Sequence, residues 1–294
     1  ESHMCDRLSE PQHKWKIPRV LRSEVGEHHV KDSSGEIWRA LGFIEGAVTY
    51  DQIENPTLAY EVGVGLGTFH RLIHDLPLEP MVDTLEGFHV TPNYLRQYDQ
   101  ICDRNDCPSG ELAEYCTQSI GDRRSWADVL ERAKGEGRLK LRPIHGDPKV
   151  NNVMIDACTG KAISLIDLDT VKPGLIHYDI GDCLRSGCNP LGEETQRFED
   201  VVFKLDLCEG ILKGYRSAAR NFLSEHDYDY IYDCIRLLAF ELGLRFFSDF
   251  INQNQYFKAD YELHNLHRAV VQFKLVESIE AQRNEIQNLV GQLR

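Results

Sequence analysis

A short polar segment in the middle of the chain limits the chemistry that the fold must support. Residues 145–152 read HGDPKVNN, which places a histidine, a carboxylate, a lysine and two carboxamides within eight positions. Apolar residues flank the segment in the longer sequence RPIHGDPKVNNVMID. Because a packed core does not require so many polar side chains, the pattern predicts a loop that carries functional groups between two buried strands.

A second acidic segment follows at a distance that a hairpin can close. Asp167 lies in the apolar sequence LIDLD, and the turn sequence at 157–161 separates it from Asn152. We expect the hairpin to bring Asn152 and Asp167 together, with Asp147 at its mouth. A carboxylate and a carboxamide oxygen are hard ligands that suit Mg²⁺. Asp147 is then free to accept a proton from a substrate hydroxyl, and Lys149 offers a point cation to a phosphate.

These groups together meet the requirements of phosphoryl transfer, which are a base, metal ligands and a cation near the moving group. The order Asp147, Asn152, Asp167 is also the order of catalytic Asp, metal Asn and metal Asp in protein kinases. We interpret Asp179 and Asp182, in the sequence YDIGD, as caps of a helix that begins near Cys183.

The charge balance argues against polyanionic partners. There are 33 Lys and Arg against 47 Asp and Glu, a formal charge of −14, so the surface repels nucleic acids and anionic membranes. No stretch approaches the roughly 20 apolar residues that span a bilayer. The nine cysteines form no CxxC pair, as is typical of reduced intracellular thiols. We expect a soluble, cytoplasmic protein, and the sequence leaves its oligomeric state open.

The pattern divides the chain into a small strand-containing part and a larger, mainly helical part. HHV and EIWRALGFI flank the turn sequence KDSSG, which predicts a hairpin. A turn near residue 45 is the expected boundary, with residues 1–45 in the first part and 46–294 in the second. Residues 1–4 (ESHM) resemble a cloning remnant.

A glycine-rich sequence, GVGLG at 63–67, lies inside an apolar stripe of helical spacing that runs from Leu58 to Leu76. It therefore predicts close helix packing rather than a phosphate-binding loop. Thr57 is the expected cap of this helix.

The sequences HGDPKVNN, IDLDTVKPG and YDIGD resemble the aminoglycoside phosphotransferase and choline kinase superfamily. Within that superfamily the chain more closely resembles the N-acetylhexosamine 1-kinases over about residues 15–275, in FIEGAVTYDQIENP, KVNNVMID, IDLDTVKPGLIHYDIGD and LRFFSDFINQNQYFK. This resemblance implies an α+β, protein-kinase-like (aminoglycoside phosphotransferase-like) fold, with a strand-containing N-lobe and a large, mainly helical C-lobe. It also implies ATP and Mg²⁺ as cofactors and a small-molecule sugar as substrate.

The resemblance further implies a role for individual residues. Asp147 would be the general base on the sugar hydroxyl, and Lys149 would contact the γ-phosphate or the sugar. Mg²⁺ would bind Asn152 and Asp167, with Asp169 as a further ligand. The backbone of Phe43, Ile44 and Glu45 would receive the adenine, and the sugar would lie against Arg245, Asp249 and Tyr256.

Some features of such kinases are not identifiable in this sequence. A Gly-rich loop, a strand lysine and a helix glutamate do not appear before residue 45. We therefore expect a truncated N-lobe, in a fragment or in a shortened homologue, and weak binding of ATP.

Several alternatives stay open. The acceptor could be choline, an aminoglycoside or another small alcohol, and the chain could be a non-catalytic sugar-binding or scaffold protein. Without the resemblance, Arg245 would be expected to pair with Glu241, and Tyr256 to be a core aromatic.

Overall fold

The computed structural model describes residues 1–8, 15–104 and 108–294. Its α-helices are α1 (Ser2–Arg7), α2 (Pro56–Ile73), α3 (Thr91–Arg104), α4 (Glu111–Arg123), α5 (Val129–Gly135), α6 (Ile176–Gly187), α7 (Leu205–Ala219), α8 (Glu225–Asp229), α9 (Ile231–Ile251), α10 (His264–Ala281) and α11 (Arg283–Gln292). Its strands are β1 (Val20–Leu21), β2 (Val30–Lys31), β3 (Ile37–Trp38), β4 (Ala40–Leu41), β5 (Ala47–Val48), β6 (Arg142–Ile144), β7 (Val153–Asp156), β8 (Ala162–Leu165) and β9 (Lys172–Gly174).

Short antiparallel pairs form the first part of the chain. Strand β1 pairs with β4, and β2 pairs with β3 across the KDSSG turn. The predicted hairpin is therefore present, although each strand has only two residues. Asp32 organises the turn, because its carboxylate accepts hydrogen bonds from the backbone N–H groups of Ser34 and Glu36.

The sheet that supports the central loop joins strands from distant parts of the sequence. Strand β5 pairs with β7, and β7 pairs with β8 in an antiparallel hairpin. Strand β6, which leads into residues 145–152, pairs with β9. The polar loop therefore connects strand β6 of one ladder to strand β7 of the other.

Helix α2 packs against α7 at very close range through glycines. A Cβ atom at Gly63 would lie 2.0 Å from the Ile211 carbonyl oxygen, and one at Gly214 would lie 1.9 Å from the Tyr60 carbonyl oxygen. The prediction that GVGLG serves helix packing is confirmed. The predicted cap is wrong, because the Asn55 side chain, not Thr57, accepts the hydrogen bond from the Leu58 N–H. Proline at position 56 suits the first helical position and places the cap one residue earlier.

Replacing Gly214 with alanine is expected to destabilise the protein by about 1–3 kcal/mol, because the added methyl group forces the two helices apart. The midpoint of urea unfolding measures this change. Gly121→Ala is the matched control, since nothing lies within 4 Å of a Cβ at this position in α4. That control should be neutral or slightly stabilising, by about 0.5–1 kcal/mol. Equal effects at both glycines would contradict the packing argument.

The helical part is built around α9, which packs between α6 and α10. Three of its four phenylalanines, Phe240, Phe246 and Phe247, are almost completely buried. Glu241, Arg245 and Asp249 follow one another at intervals of four residues, so they lie along one face of this otherwise apolar helix. Across the described parts of the chain, no helix is both long and apolar enough to cross a membrane.

Candidate active site

The β7–β8 hairpin brings together two of the residues predicted to bind metal. Val153 pairs with Leu165, and the Ile166 N–H donates a 2.9 Å hydrogen bond to the Asn152 carbonyl oxygen. Asp167 follows directly, in the left-handed conformation with φ 63°. The backbone therefore turns sharply at Asp167, next to the start of β7, as the hairpin prediction requires.

Asp147 lies at the mouth of this hairpin, partly open to solvent. The Nζ atom of Lys149 is 3.0 Å from its Oδ2 atom, and the Asn152 amide donates a 2.7 Å hydrogen bond to its carbonyl oxygen. Burial lowers the pKa of Lys149, but the charge and hydrogen bond of Asp147, together with the charges of Asp182 and Asp167, outweigh burial and raise the pKa overall. Lys149 is therefore a stable cation two residues from the proposed base.

A buried carboxylate holds the loop before Asp147 in place. Asp179 accepts hydrogen bonds from the backbone N–H groups of His145, at 2.6 Å, and Gly146, at 2.9 Å. The Nε2 atom of His70 lies 2.8 Å from the same carboxylate. The predicted capping role of Asp179 is wrong, because α6 begins at Ile176 and Asp179 lies inside it. Its function is long-range support of the loop.

Asp182 also lies inside α6 rather than at its start, so its predicted capping role is wrong as well. Its Oδ1 atom accepts two hydrogen bonds from the buried Arg185 guanidinium. Its Oδ2 atom is buried and has no hydrogen-bond partner in the described structure. Asp182 lines the same pocket as Asp147 and Lys149.

A second buried group holds the loop from the opposite side. His89 lies 3.0 Å through Nε2 from the Gly146 carbonyl oxygen and 2.9 Å through Nδ1 from Glu241. Thr91 donates a 2.6 Å hydrogen bond to the other oxygen of Glu241. Both partners of His89 only accept hydrogen bonds, so both ring nitrogens must donate and the ring carries a positive charge. The alternative pairing of Arg245 with Glu241 is therefore wrong.

The charge on His89 makes its contribution to stability depend on pH. Burial lowers the pKa of His89, but Glu241 outweighs this effect and the pKa is raised above 6.5. A histidine whose pKa is higher in the folded state than in the unfolded state stabilises the fold. This contribution to stability is complete below the unfolded-state pKa and is lost as the pH rises through the folded-state pKa. We expect His89→Gln to cost about 1–3 kcal/mol at about pH 6, and less at about pH 9. Urea unfolding at both pH values measures this, and the exposed His226→Gln is the control. A loss that does not change with pH would contradict a charged His89.

The donor set at the hairpin fits Mg²⁺. The Asn152 Nδ2 atom is used in its hydrogen bond, which leaves Oδ1 available. Asp167 is exposed, and its carboxylate makes no hydrogen bond within the described residues. No group of three or more His, Cys, Asp or Glu side chains in the described ranges is arranged to hold a metal. Mg²⁺ does not need one, since it commonly takes one or two carboxylates plus phosphate oxygens and water.

The third residue predicted to bind metal is already engaged. The Asp169 carboxylate pairs with the Arg39 guanidinium from the first part of the chain. Its backbone carbonyl also accepts a long hydrogen bond from Thr84. Arg39 engages Oδ1 only, so a metal at Asp169 would have to bind the other carboxylate oxygen or displace Arg39.

The residues predicted to receive the adenine line a different pocket from Asp147. Ile44 is buried against Met154 and Ile163, whereas Phe43 is exposed. The Glu45 carbonyl accepts a hydrogen bond from the Lys16 side chain. Binding of an adenine by the backbone of Phe43, Ile44 and Glu45 stays a prediction.

Four of the five residues predicted to bind the sugar line one pocket of about 300 Å³, and the fifth, Asp249, lines the adjoining pocket. Asp147, Lys149, Arg245 and Tyr256 are the four that line the first pocket. The Tyr256 side chain is 71% exposed, so the alternative of a core aromatic is wrong.

Asp249, also predicted to contact the sugar, has a supporting position. Its carboxylate accepts hydrogen bonds from the backbone N–H groups of Tyr256 and Phe257 and from the Asn265 amide. It thereby holds the loop that carries Tyr256 at the edge of the pocket.

Comparisons with known proteins agree with this geometry. A family model described as the phosphotransferase enzyme family matches residues 2–200. An aminoglycoside phosphotransferase from Alicyclobacillus acidocaldarius is similar in structure, with a TM-score of 0.65, 15% identity, and coverage of 98% of this chain and 84% of that one. A microcompartment-associated aminopropanol kinase gives a TM-score of 0.60 and 16% identity, covering 97% and 82%. A choline kinase from Cryptosporidium parvum gives a TM-score of 0.57 and 16% identity, covering 94% and 77%. At these identities the likeness concerns the fold, which is the predicted protein-kinase-like, aminoglycoside phosphotransferase-like fold.

Proposed function

The chain belongs to the phosphotransferase enzyme family, and on that basis we propose that it transfers the γ-phosphoryl group of ATP to a hydroxyl group of a sugar. The observation that carries this proposal is the position of Asp147. Its carboxylate faces a pocket, has a cation 3.0 Å away at Lys149, and follows a loop held on both sides by buried groups. A base fixed in this way is suited to activate one hydroxyl group.

In the proposed reaction, the acceptor oxygen attacks the γ-phosphorus while the bond to the bridging oxygen of the leaving ADP breaks. The hydroxyl proton passes to the Asp147 carboxylate. Lys149 interacts with the negative charge of the transferring group. Asn152, through Oδ1, and Asp167 would hold Mg²⁺, which when bound neutralises phosphate charge.

The preferred acceptor in this proposal is the anomeric hydroxyl of an N-acetylhexosamine, GlcNAc or GalNAc, which gives a hexosamine 1-phosphate. A sugar offers hydroxyl donors and acceptors at close spacing, and the pocket has a matching group of each kind. The Asp182 Oδ2 atom is a buried acceptor without a partner, and the Arg245 guanidinium is a donor without an acceptor in the described structure. The names of the three similar structures indicate the rival acceptors, which are aminoglycosides and small amino alcohols.

The proposal is tested by measuring ADP release with Mg-ATP and each of GlcNAc, GalNAc, choline and kanamycin. We expect release to depend on one of the two sugars. Release that depends on choline or kanamycin instead would contradict the sugar acceptor and leave the reaction type intact. Calorimetry tests the alternative of a non-catalytic sugar-binding protein. Sugar binding without Mg-ATP binding would contradict the kinase assignment for this chain.

A further inference from the structure

Four aromatic rings surround the guanidinium group of Arg245, which lines the acceptor pocket, and they form an aromatic cage. Its guanidinium carbon is 4.9 Å from the ring centre of Phe88, 5.1 Å from Tyr94, 5.9 Å from Tyr256 and 5.2 Å from Phe257. All four distances fall within the range of cation–π attraction. Burial raises the pKa of Tyr94 to about 12, so this wall of the aromatic cage is uncharged.

No carboxylate in the described structure neutralises Arg245. The acidic residues that line the acceptor pocket each have another cationic partner: Asp147 pairs with Lys149, Asp182 with Arg185, Glu193 with Arg185 and Arg268, and Glu241 with His89. The pocket therefore has one cation in excess, at Arg245. A ligand that brought a second positive charge next to Arg245 would be repelled. Glu86 and Asp249 line the adjoining pocket, which shares Arg245 with the acceptor pocket, and Asp249 is engaged by backbone N–H groups.

An aromatic cage of this kind is the usual receptor for a quaternary ammonium group. We infer that Arg245 occupies the position that an ammonium group would take and that it thereby selects neutral polyol acceptors and excludes cationic amino alcohols. This inference rests on the proposed acceptor pocket. It makes Arg245 a specificity-determining residue that acts by filling the cage as well as by donating hydrogen bonds.

The cage should persist when Arg245 is shortened. Tyr256 and Phe257 are held through their backbone N–H groups by the buried Asp249, at 2.8 and 2.9 Å. Asp249 is in turn held by Asn265. The positions of the Tyr256 and Phe257 rings therefore depend on Asp249 rather than on Arg245. We expect the cage to keep its shape when the Arg245 side chain is shortened.

The test is calorimetric binding of choline and of tetramethylammonium to the full chain, which needs no phosphoryl transfer. We expect R245A to bind both about tenfold more tightly than the wild type does. R245Q, which removes the charge and keeps part of the side-chain volume, should show a smaller gain in the same direction. The double variant R245A/Y256A should lose the gain, since Tyr256 is exposed and its removal affects the cage but not the core.

The inference is overturned if the wild type already binds choline as tightly as R245A does, or if R245A and R245Q, shown to be folded by circular dichroism, gain no ammonium binding. If R245A does not fold, the binding of choline and tetramethylammonium to R245Q decides the test. Failure of the proposed function is a separate result. A wild type that phosphorylates no sugar, together with a gain of choline binding in R245A, would contradict the sugar acceptor and support the cage.

Discussion

Replacing Asp147 with asparagine is expected to lower kcat by about 10²–10⁴-fold, the range for removal of a general base. The carboxamide keeps the size of the side chain but cannot take up the hydroxyl proton. The hydrogen bond from Asn152 reaches the backbone carbonyl of Asp147 and not its side chain. The loop should therefore keep its conformation, and sugar binding measured by calorimetry should change by less than about threefold.

Asp200→Asn is the matched control for this variant, because Asp200 lies on the surface in a loose pair with Arg197 at 3.7 Å. Its turnover should equal that of the wild type. Normal turnover of Asp147→Asn would show that Asp147 is not the base. A large loss of sugar binding would instead indicate that Asp147 mainly positions the acceptor.

Replacing Asp179 with asparagine is expected to cost about 2–5 kcal/mol of stability, because buried donors lose a charged acceptor. The carboxylate is completely buried and accepts from two backbone N–H groups and from His70. Asparagine has an NH₂ group in place of one carboxylate oxygen, so this NH₂ donor would face at least one of these donors. Residual folded protein should also show reduced turnover, because the peptides that lead into Asp147 lose their support.

The pH dependence of this loss separates a charged from a neutral Asp179. Burial raises the pKa of Asp179, but the contacts with His70, the neighbouring His145 and the hydrogen bond from the Gly146 N–H together outweigh burial, and the pKa falls below its usual value. A carboxyl group whose pKa is lower in the folded state than in the unfolded state stabilises the fold. This contribution to stability is complete above the unfolded-state pKa of about 4 and is lost as the pH falls through the folded-state pKa. Urea unfolding should therefore show the full difference at about pH 7 and a smaller one in acid. A difference that is equal at both pH values would contradict this account.

The hairpin and its polar ends were predictable because the signals are local. The turn at 157–161 and the apolar sequences on either side of it lie close together in the chain. Glycine packing in α2 was predictable for the same reason, since the glycines fall within a helical stripe. The cap was misplaced by two residues because Asn55 and Thr57 are both suitable caps, and only Pro56 distinguishes them.

The supports of the loop were not predictable from local patterns. Asp179 binds N–H groups 33 and 34 residues away, whereas the capping rule considers only neighbours along the chain. His89 and Glu241 are 152 residues apart. One signal was present in the sequence, namely Glu241, Arg245 and Asp249 at intervals of four in an apolar helix. That spacing indicates a polar stripe, but it does not reveal which groups each side chain contacts.

The position of the transferred phosphate tests the central proposal most directly. Wild-type protein, Mg-ATP and GlcNAc or GalNAc can be followed by ³¹P NMR with the Asp147→Asn variant in parallel. We predict that one sugar gains a phosphate coupled to its anomeric proton, in amounts equal to the ADP formed, and that the variant forms neither product at a comparable rate. ADP that forms at the same rate without sugar, or a phosphate that appears on choline or kanamycin alone, would contradict the proposal.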